Sequence, residues 1–216
     1  MNPRLVVATG NSGKLREFRA LLAGQPVELC SLREVAEFGE VAFPEEGLEY
    51  CDNAIAKAMA VAEQLGLPAV ADDSGLEVDA LDGRPGPTSA RYGGAGLDDA
   101  GRVAKLLEEV GSARAPGRGA RFVCWAALAL PPSASGETPQ TECAVGECTG
   151  VLLERASGGG GFGYDPVFAP SLATDDRDSG RSMAQLAAAR KNDLSHRARA
   201  LRALTQTAGW QALLAM

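Results

Sequence analysis

Histidine is nearly missing from this chain: His196 is the only one in 216 residues. That excludes a histidine-based metal cluster, and it excludes a Ser-His-Asp triad built on any other histidine. No Cys-x-x-Cys pair occurs. The five cysteines, Cys30, Cys51, Cys124, Cys143 and Cys148, are odd in number, in a chain large enough to build a core. This argues against a disulfide framework. Cys143 and Cys148 lack a companion His tract, so the thiols read as reduced and mostly structural. Long apolar runs are also missing. The longest, Phe122 to Leu130, is too short to cross a bilayer as a helix. Leu5 to Ala8 is too short for the core of a signal peptide. Positive charge is in deficit, with 21 Lys and Arg against 28 Asp and Glu, a formal charge of −7. That disfavours bulk binding to nucleic acid or to an anionic membrane, and leaves room for a local basic pocket. These absences lead us to expect a soluble, cytoplasmic protein with no nucleic-acid or membrane partner.

What is present suits a soluble globular protein whose loops carry a site. The length predicts one domain over residues 1–216, or two small lobes sharing a core. Glycine and proline, 26 and 12 residues, exceed their usual share and fall in loops. Residues 4–8 form an apolar run that ends in a Gly-containing turn, and Lys14 to Leu22 follows a helical period. Short strands are predicted at 27–30 and 41–43, and an Ala-rich helix over 48–65, closed by Gly66 and Pro68. Ala69-Val70-Ala71 reads as a strand running into Asp72-Asp73-Ser74-Gly75, with residues 76–81 as a hairpin return. A helix is predicted over 98–110, and strands over 120–130 and 140–153, joined by the loop 131–139. Helices are predicted over 183–191 and 195–214. The pattern predicts an α/β fold with a mixed, twisted sheet flanked by helices, in two lobes with a central cleft.

Four stretches carry candidate chemistry. Thr9-Gly10-Asn11-Ser12-Gly13-Lys14 places small residues and a lysine at a helix start. Bare backbone N–H groups there favour an anion, and Lys14 opposes the helix dipole unless a phosphate is bound. The plainer alternative is a tight turn with a solvated lysine. Asp72 and Asp73 are adjacent in a strand, so they point to opposite faces and do different jobs. One reaches the site, and the other caps or pairs locally. With Glu45 or Glu46 nearby, the oxygen-rich donors would suit Mg²⁺. The run Gly158 to Gly163 opens into Tyr164-Asp165-Pro166 rather than a helix. It therefore reads as a loop that brings Phe162 and Tyr164 to a planar ligand, not as a dinucleotide fingerprint. Finally, Ser195 is a good N-cap, and it places His196 and Arg197 in a first helical turn. That repeats the cation anomaly of Lys14 and points to a polyanionic ligand.

Together, Leu5 to Lys14, Ala71 to Leu76, Pro85 to Tyr92, Gly161 to Phe168 and Ser195-His196-Arg197 resemble the non-canonical purine nucleoside triphosphate pyrophosphatases. They occur in that family's order over nearly the whole chain. The resemblance implies a homodimeric, elongated α/β protein that uses Mg²⁺ to hydrolyse ITP, dITP and XTP to the monophosphate and pyrophosphate. It implies that Thr9, Gly10, Asn11, Ser12, Gly13 and Lys14 hold the triphosphate. Asp73 would be proton acceptor and metal ligand, Glu45 a second metal ligand, and Ser74 a substrate contact. Phe162, Gly163, Tyr164, Asp165, Lys191, His196 and Arg197 would shape the nucleotide site. His196 and Arg197 are candidate donors to the base, and Phe162 or Tyr164 a stacking face. The chain departs from the family at Tyr50-Cys51-Asp52, where Thr-Phe-Glu is usual before Asn-Ala, and at Arg190, where Glu is usual. Pro44-Glu45-Glu46-Gly47 leaves Glu45 and Glu46 as alternatives.

Overall fold

The alternation of apolar side chains along its strands builds a sheet that is buried on both faces over part of its extent. A computed structural model describes residues 2–38, 41–44, 47–94, 96–111, 117–132, 138–171 and 178–216. Six strands occur among them: β1 (Arg4–Val7), β2 (Glu28–Ser31), β3 (Ala69–Val78), β4 (Gly119–Leu130), β5 (Gln140–Leu152) and β6 (Phe168–Pro170). They form one sheet in the order β2-β1-β3-β4-β5-β6. β1 runs parallel to β2 and β3, and β5 runs antiparallel to β6, so the sheet is mixed as the sequence predicts. The helices are α1 (Ser12–Leu22), α2 (Tyr50–Leu65), α3 (Asp99–Val110), α4 (Ala188–Leu194), α5 (His196–Leu204) and α6 (Ala208–Leu214).

The chain divides into two compact units. The first comprises Met1–Asp73, Cys124–Gly146 and Arg197–Met216. Strand alternation there supplies two cores. Leu5, Val7, Val70, Cys124, Ala126 and Leu128 share one with α1, α5 and α6, through Phe18, Leu22, Leu201, Leu204 and Trp210. Val6, Ala8, Ala69, Ala71, Ala127 and Ala129 share the other with α2, through Ala54, Ala58, Val61, Ala62 and Leu65. Helical spacing of those α2 residues makes one stripe, and its small side chains let the helix lie close on the sheet. Gly66, at φ +64°, stops α2 in the left-handed region that favours glycine.

The second unit comprises Ser74–Val123 and Glu147–His196. Leu76, Val78, Phe122, Cys148 and Leu152 face a core closed by Val103 and Leu106 of α3 and by Tyr164, Phe168 and Met183. Glu77, Arg121 and Glu147 lie outside that core and form ion pairs through the Arg121 guanidinium, the shortest at 2.7 Å to Glu77.

Four expectations are corrected. Residues 41–43 form no strand. Residues 76–81 are not a hairpin return, because β3 continues unbroken through Asp72-Asp73-Ser74-Gly75 to Val78. Pairing of both aspartates, described below, lets a polar stretch stay in a buried strand. The helix predicted over 183–191 is a 3-10 turn at Met183–Gln185 followed by α4. The one predicted over 195–214 is two helices, because the Thr207 hydroxyl accepts from the Trp210 N–H and starts α6 afresh. Part of the loop 131–139 lies outside the described residues.

Gly150 of β5 faces Pro170 of β6, and a Cβ there would come within 2.3 Å of the Ala169 carbonyl oxygen. A backbone obstacle cannot swing away, so Gly150→Ala is expected to destabilise the protein by about 1–3 kcal/mol. Urea denaturation measures this, and an unchanged midpoint would contradict the β5–β6 register.

Candidate active site

The pleat of β3 decides where the two adjacent carboxylates go. Asp72 follows Val70 onto the α1/α5 face, and Asp73 follows Ala71 onto the α2 face. Both are buried, at 2% and 4% exposure. Lys14 of α1 lies 3.0 Å from Asp72 Oδ2, and Arg197 of α5 donates Nη2 to the same oxygen at 2.9 Å. Arg197 Nη1 donates to Glu17, one turn beyond Lys14 on α1. On the other face, Asp73 accepts from Asn53 Nδ2 at 2.9 Å and from Lys57 Nζ at 3.0 Å. Asn53 also joins Gly47 through both atoms of its amide, which ties the segment before α2 to the site.

The start of α1 differs from the sequence expectation of bare amides. Asn11 is its N-cap, and its side chain accepts from the Gly13 and Lys14 N–H groups at 2.8 and 3.0 Å. Asn is among the residues best suited to this role. Thr9 and Gly10 form the turn, with the Thr9 hydroxyl accepting from the Asn11 N–H at 3.2 Å. Lys14 is not simply solvated. Asp72 offsets the penalty of a cation in a first helical turn. Burial alone would raise the Asp72 carboxyl, yet the charges of Arg197 and Lys14 hold it far below the usual carboxylate range. Burial would lower the Arg197 guanidinium, and Asp72 and Glu17 outweigh it.

In the second unit Asp165 is the centre of a separate cluster. Its Oδ2 accepts from the Phe162 N–H at 2.8 Å and from Lys191 Nζ at 2.5 Å. Lys191 Nζ also stands 5.0 Å above the centre of the Phe162 ring, a cation–π arrangement. Gly161 must be glycine here: its φ is +71°, and a Cβ would fall 2.0 Å from Asp165 Oδ2. The Gly163 N–H donates to Asp99 Oδ2 at 2.8 Å. The Tyr164 ring is part of the core, and its hydroxyl donates to the Ser89 carbonyl at 3.1 Å. Phe162 is therefore the partly exposed ring of the two. His196 is buried and stacks on Phe122 at 4.6 Å. Ser74 is partly exposed in β3.

The sequence-predicted residues thus fall into two sets. Thr9 to Lys14, Asp73 and Arg197 belong to the first unit; Ser74, Phe162 to Asp165, Lys191 and His196 belong to the second. Glu45 and its alternative Glu46 lie outside the described residues. Among the described residues, no three His, Cys, Asp or Glu side chains gather as a metal cage. Sequence reasoning overlooked Lys57 and Glu17. Lys57 stands four residues after Asn53 on one face of α2, and Glu17 three after Lys14 on α1, so helical spacing was the available signal.

Residues 5–207 match the Ham1 family. The chain belongs to the Ham1 family. Over 210 residues it is 46% identical to a dITP/XTP pyrophosphatase of Geobacter sulfurreducens, covering 97% of this chain and 98% of that one. It is 44% identical over 202 residues to a dITP/XTP pyrophosphatase of Geobacillus kaustophilus, covering 94% and 92%. The structure of a HAM1 protein from Coxiella burnetii superposes with a TM-score of 0.76 at 37% identity, covering 94% of this chain and 96% of that one. Ham1 membership accords with the mixed α/β sheet. No helix among the described residues is long and apolar enough to cross a membrane.

The buried Asp72 cluster generates a stability prediction. Its folded-state affinity for protons lies below that of an unfolded aspartate, so its stabilisation is complete above about pH 5 and is lost as pH falls below ~3.9 towards the folded value. Asp72→Asn leaves Arg197 and Lys14 without their shared counter-charge and is expected to cost about 3–5 kcal/mol near neutral pH. The variant should also lose part of the acid limb of stability against pH, measured by urea unfolding between pH 2.5 and 7. An Asp72→Asn protein as stable as the parent, with the same acid limb, would refute the assignment.

Proposed function

We propose that this Ham1-family protein hydrolyses non-canonical purine nucleoside triphosphates, ITP, dITP and XTP, to the monophosphate and pyrophosphate. The observation that carries the reading is the Asp73 carboxylate, buried in β3 and held by Asn53 and Lys57. Full-length similarity to dITP/XTP pyrophosphatases supports the reaction class and the substrates. The protein acts as one domain over residues 1–216, as a homodimer in the cytoplasm, where it removes such nucleotides from the pool.

Asp73 is the proton acceptor. It takes a proton from a water whose oxygen attacks the α-phosphorus; the bond from that phosphorus to the bridging oxygen breaks, and pyrophosphate leaves with the electron pair. Lys57 pairs with Asp73 at 3.0 Å and fixes where the carboxylate lies. Thr9, Gly10, Asn11, Ser12, Gly13 and Lys14 hold the phosphates, and Ser74 contacts the substrate. Asp73 brings anionic oxygen without His or Cys partners, which fits Mg²⁺ held by one or two carboxylates, waters and substrate phosphates rather than an all-protein cage. Glu45, or its alternative Glu46, is the second carboxylate in this reading. When bound, Mg²⁺ neutralises charge on the phosphates and on the departing pyrophosphate.

Phe162, with Gly163 and Tyr164 shaping its loop, stacks on the base, and Asp165 fixes that loop while holding Lys191 beside the ring. His196 supplies a donor for the 6-oxo group of hypoxanthine or xanthine, where adenine would present an amine. A dry site that leaves such a donor unpaired discriminates strongly. Arg197 has its guanidinium engaged by Asp72 and Glu17, so it positions the Asp72 strand and α1 rather than reading the base.

The test is product analysis over ITP, dITP, XTP, GTP and ATP with Mg²⁺, separating pyrophosphate from orthophosphate. We expect pyrophosphate from the first three. Binding without turnover would instead make the protein a nucleotide sensor. Asp73→Asn is expected to lower kcat by roughly 10²–10⁴-fold while leaving nucleotide affinity within about tenfold. Parent-like turnover in that variant would remove Asp73 from the proton-accepting role.

A further inference from the structure

The packing of α2 onto the sheet brings together a second pair of reactive side chains, distinct from the aspartates. Cys51 lies in the first turn of α2 and Cys143 lies in β5, 92 residues further along the chain, with their Sγ atoms 3.0 Å apart. Both thiols are free and both are partly exposed, whereas Cys30, Cys124 and Cys148 are buried. Cys143 packs against the same core that seats Ala54 and Ala58 of α2, so the pairing follows from the packed face rather than from a loose surface. Closing the gap to the ~2.05 Å of a disulfide requires movement of only about 1 Å.

We propose that Cys51 and Cys143 form a redox modification site, closing a reversible intrachain disulfide by exchange with a low-molecular-weight disulfide such as glutathione disulfide. Burial, and then the contact with Cys143, pushes the Cys51 thiol up to about 12, which disfavours Cys51 as the first attacker. The Cys143 thiolate attacks one sulfur of the oxidant, whose S–S bond breaks, and the first glutathione leaves as a thiolate that takes up a proton. Cys51 then loses its proton and attacks Cys143 Sγ, displacing the second glutathione. Two electrons pass from the cysteines to the oxidant, which ends as two thiols. The new bond ties the first turn of α2 to β5. Asn53, which links Gly47 to Asp73, stands two residues beyond Cys51, so the cross-link acts on the site without entering it.

The full-length protein, folded and reduced, is incubated with glutathione disulfide, quenched with N-ethylmaleimide, and digested without reductant for peptide mass mapping. The expected product is a monomer with Cys51 joined to Cys143, reversed by dithiothreitol. Closing so long a loop should raise Tm by about 5–10 °C. Cys51→Ser should instead retain a glutathione adduct on Cys143, with no rise in Tm. Stable glutathione adducts on both cysteines of the parent, pairing of either with another cysteine, or no reaction would each overturn the proposal. Turnover of dITP, which rests on the function proposed above, should fall several-fold on oxidation and return on reduction. A cross-link that leaves turnover unchanged overturns its effect on the site. Absence of dITP turnover in the reduced protein overturns the proposed function instead, and leaves the mass result standing.

Discussion

Two neighbouring carboxylates, both buried in one strand, would repel each other if they shared a face. The pleat of β3 prevents this by sending Asp72 to α1 and α5 and Asp73 to α2, and each face then supplies its own cations. Much of the first unit depends on that division. α1 is placed by Lys14 and Glu17, α5 by Arg197, and α2 by Asn53 and Lys57. The apolar layers explain why the helices lie on the sheet. The aspartates explain why they lie at one position along it.

The two aspartates are not equivalent in chemical environment. Asp72 has two cations on one oxygen and is shut off from water, so it serves as an anchor. Asp73 is held by an amide and one lysine, an arrangement that leaves lone pairs available for a proton or a metal. A similar device recurs in the second unit, where Asp165 accepts from a backbone N–H and from Lys191. There the carboxylate shapes a loop around Phe162 instead of joining helices, and Gly161 is required because no Cβ fits beside it.

Much of the fold was legible because its signals are local. β1, α1, α2, α3, β4 and β5 announce themselves through apolar periodicity, and α2 also through Gly66 at its end. The failures have the same origin. Read from the sequence, β3 breaks at Asp72-Asp73-Ser74-Gly75, since four such residues form a turn unless distant cations offset their burial. The hydroxyl of Thr207 splits a helix that hydrophobic period alone would run together. Lys57 escaped notice because an exposed lysine and a buried partner to Asp73 look the same in one dimension.

By itself the sequence determined the α/β class, the family, and the opposite facing of Asp72 and Asp73, because periodicity and strand alternation are properties of consecutive residues. Tertiary structure alone decided which side chains meet those carboxylates. Arg197, whose place at a helix start suggested a donor to the base, turns instead to Asp72, 125 residues earlier in the chain. Tyr164 enters the core while Phe162 stays at the surface, and Cys51 finds Cys143. Each of these depends on long-range packing of helix against sheet, for which adjacent residues carry no signal.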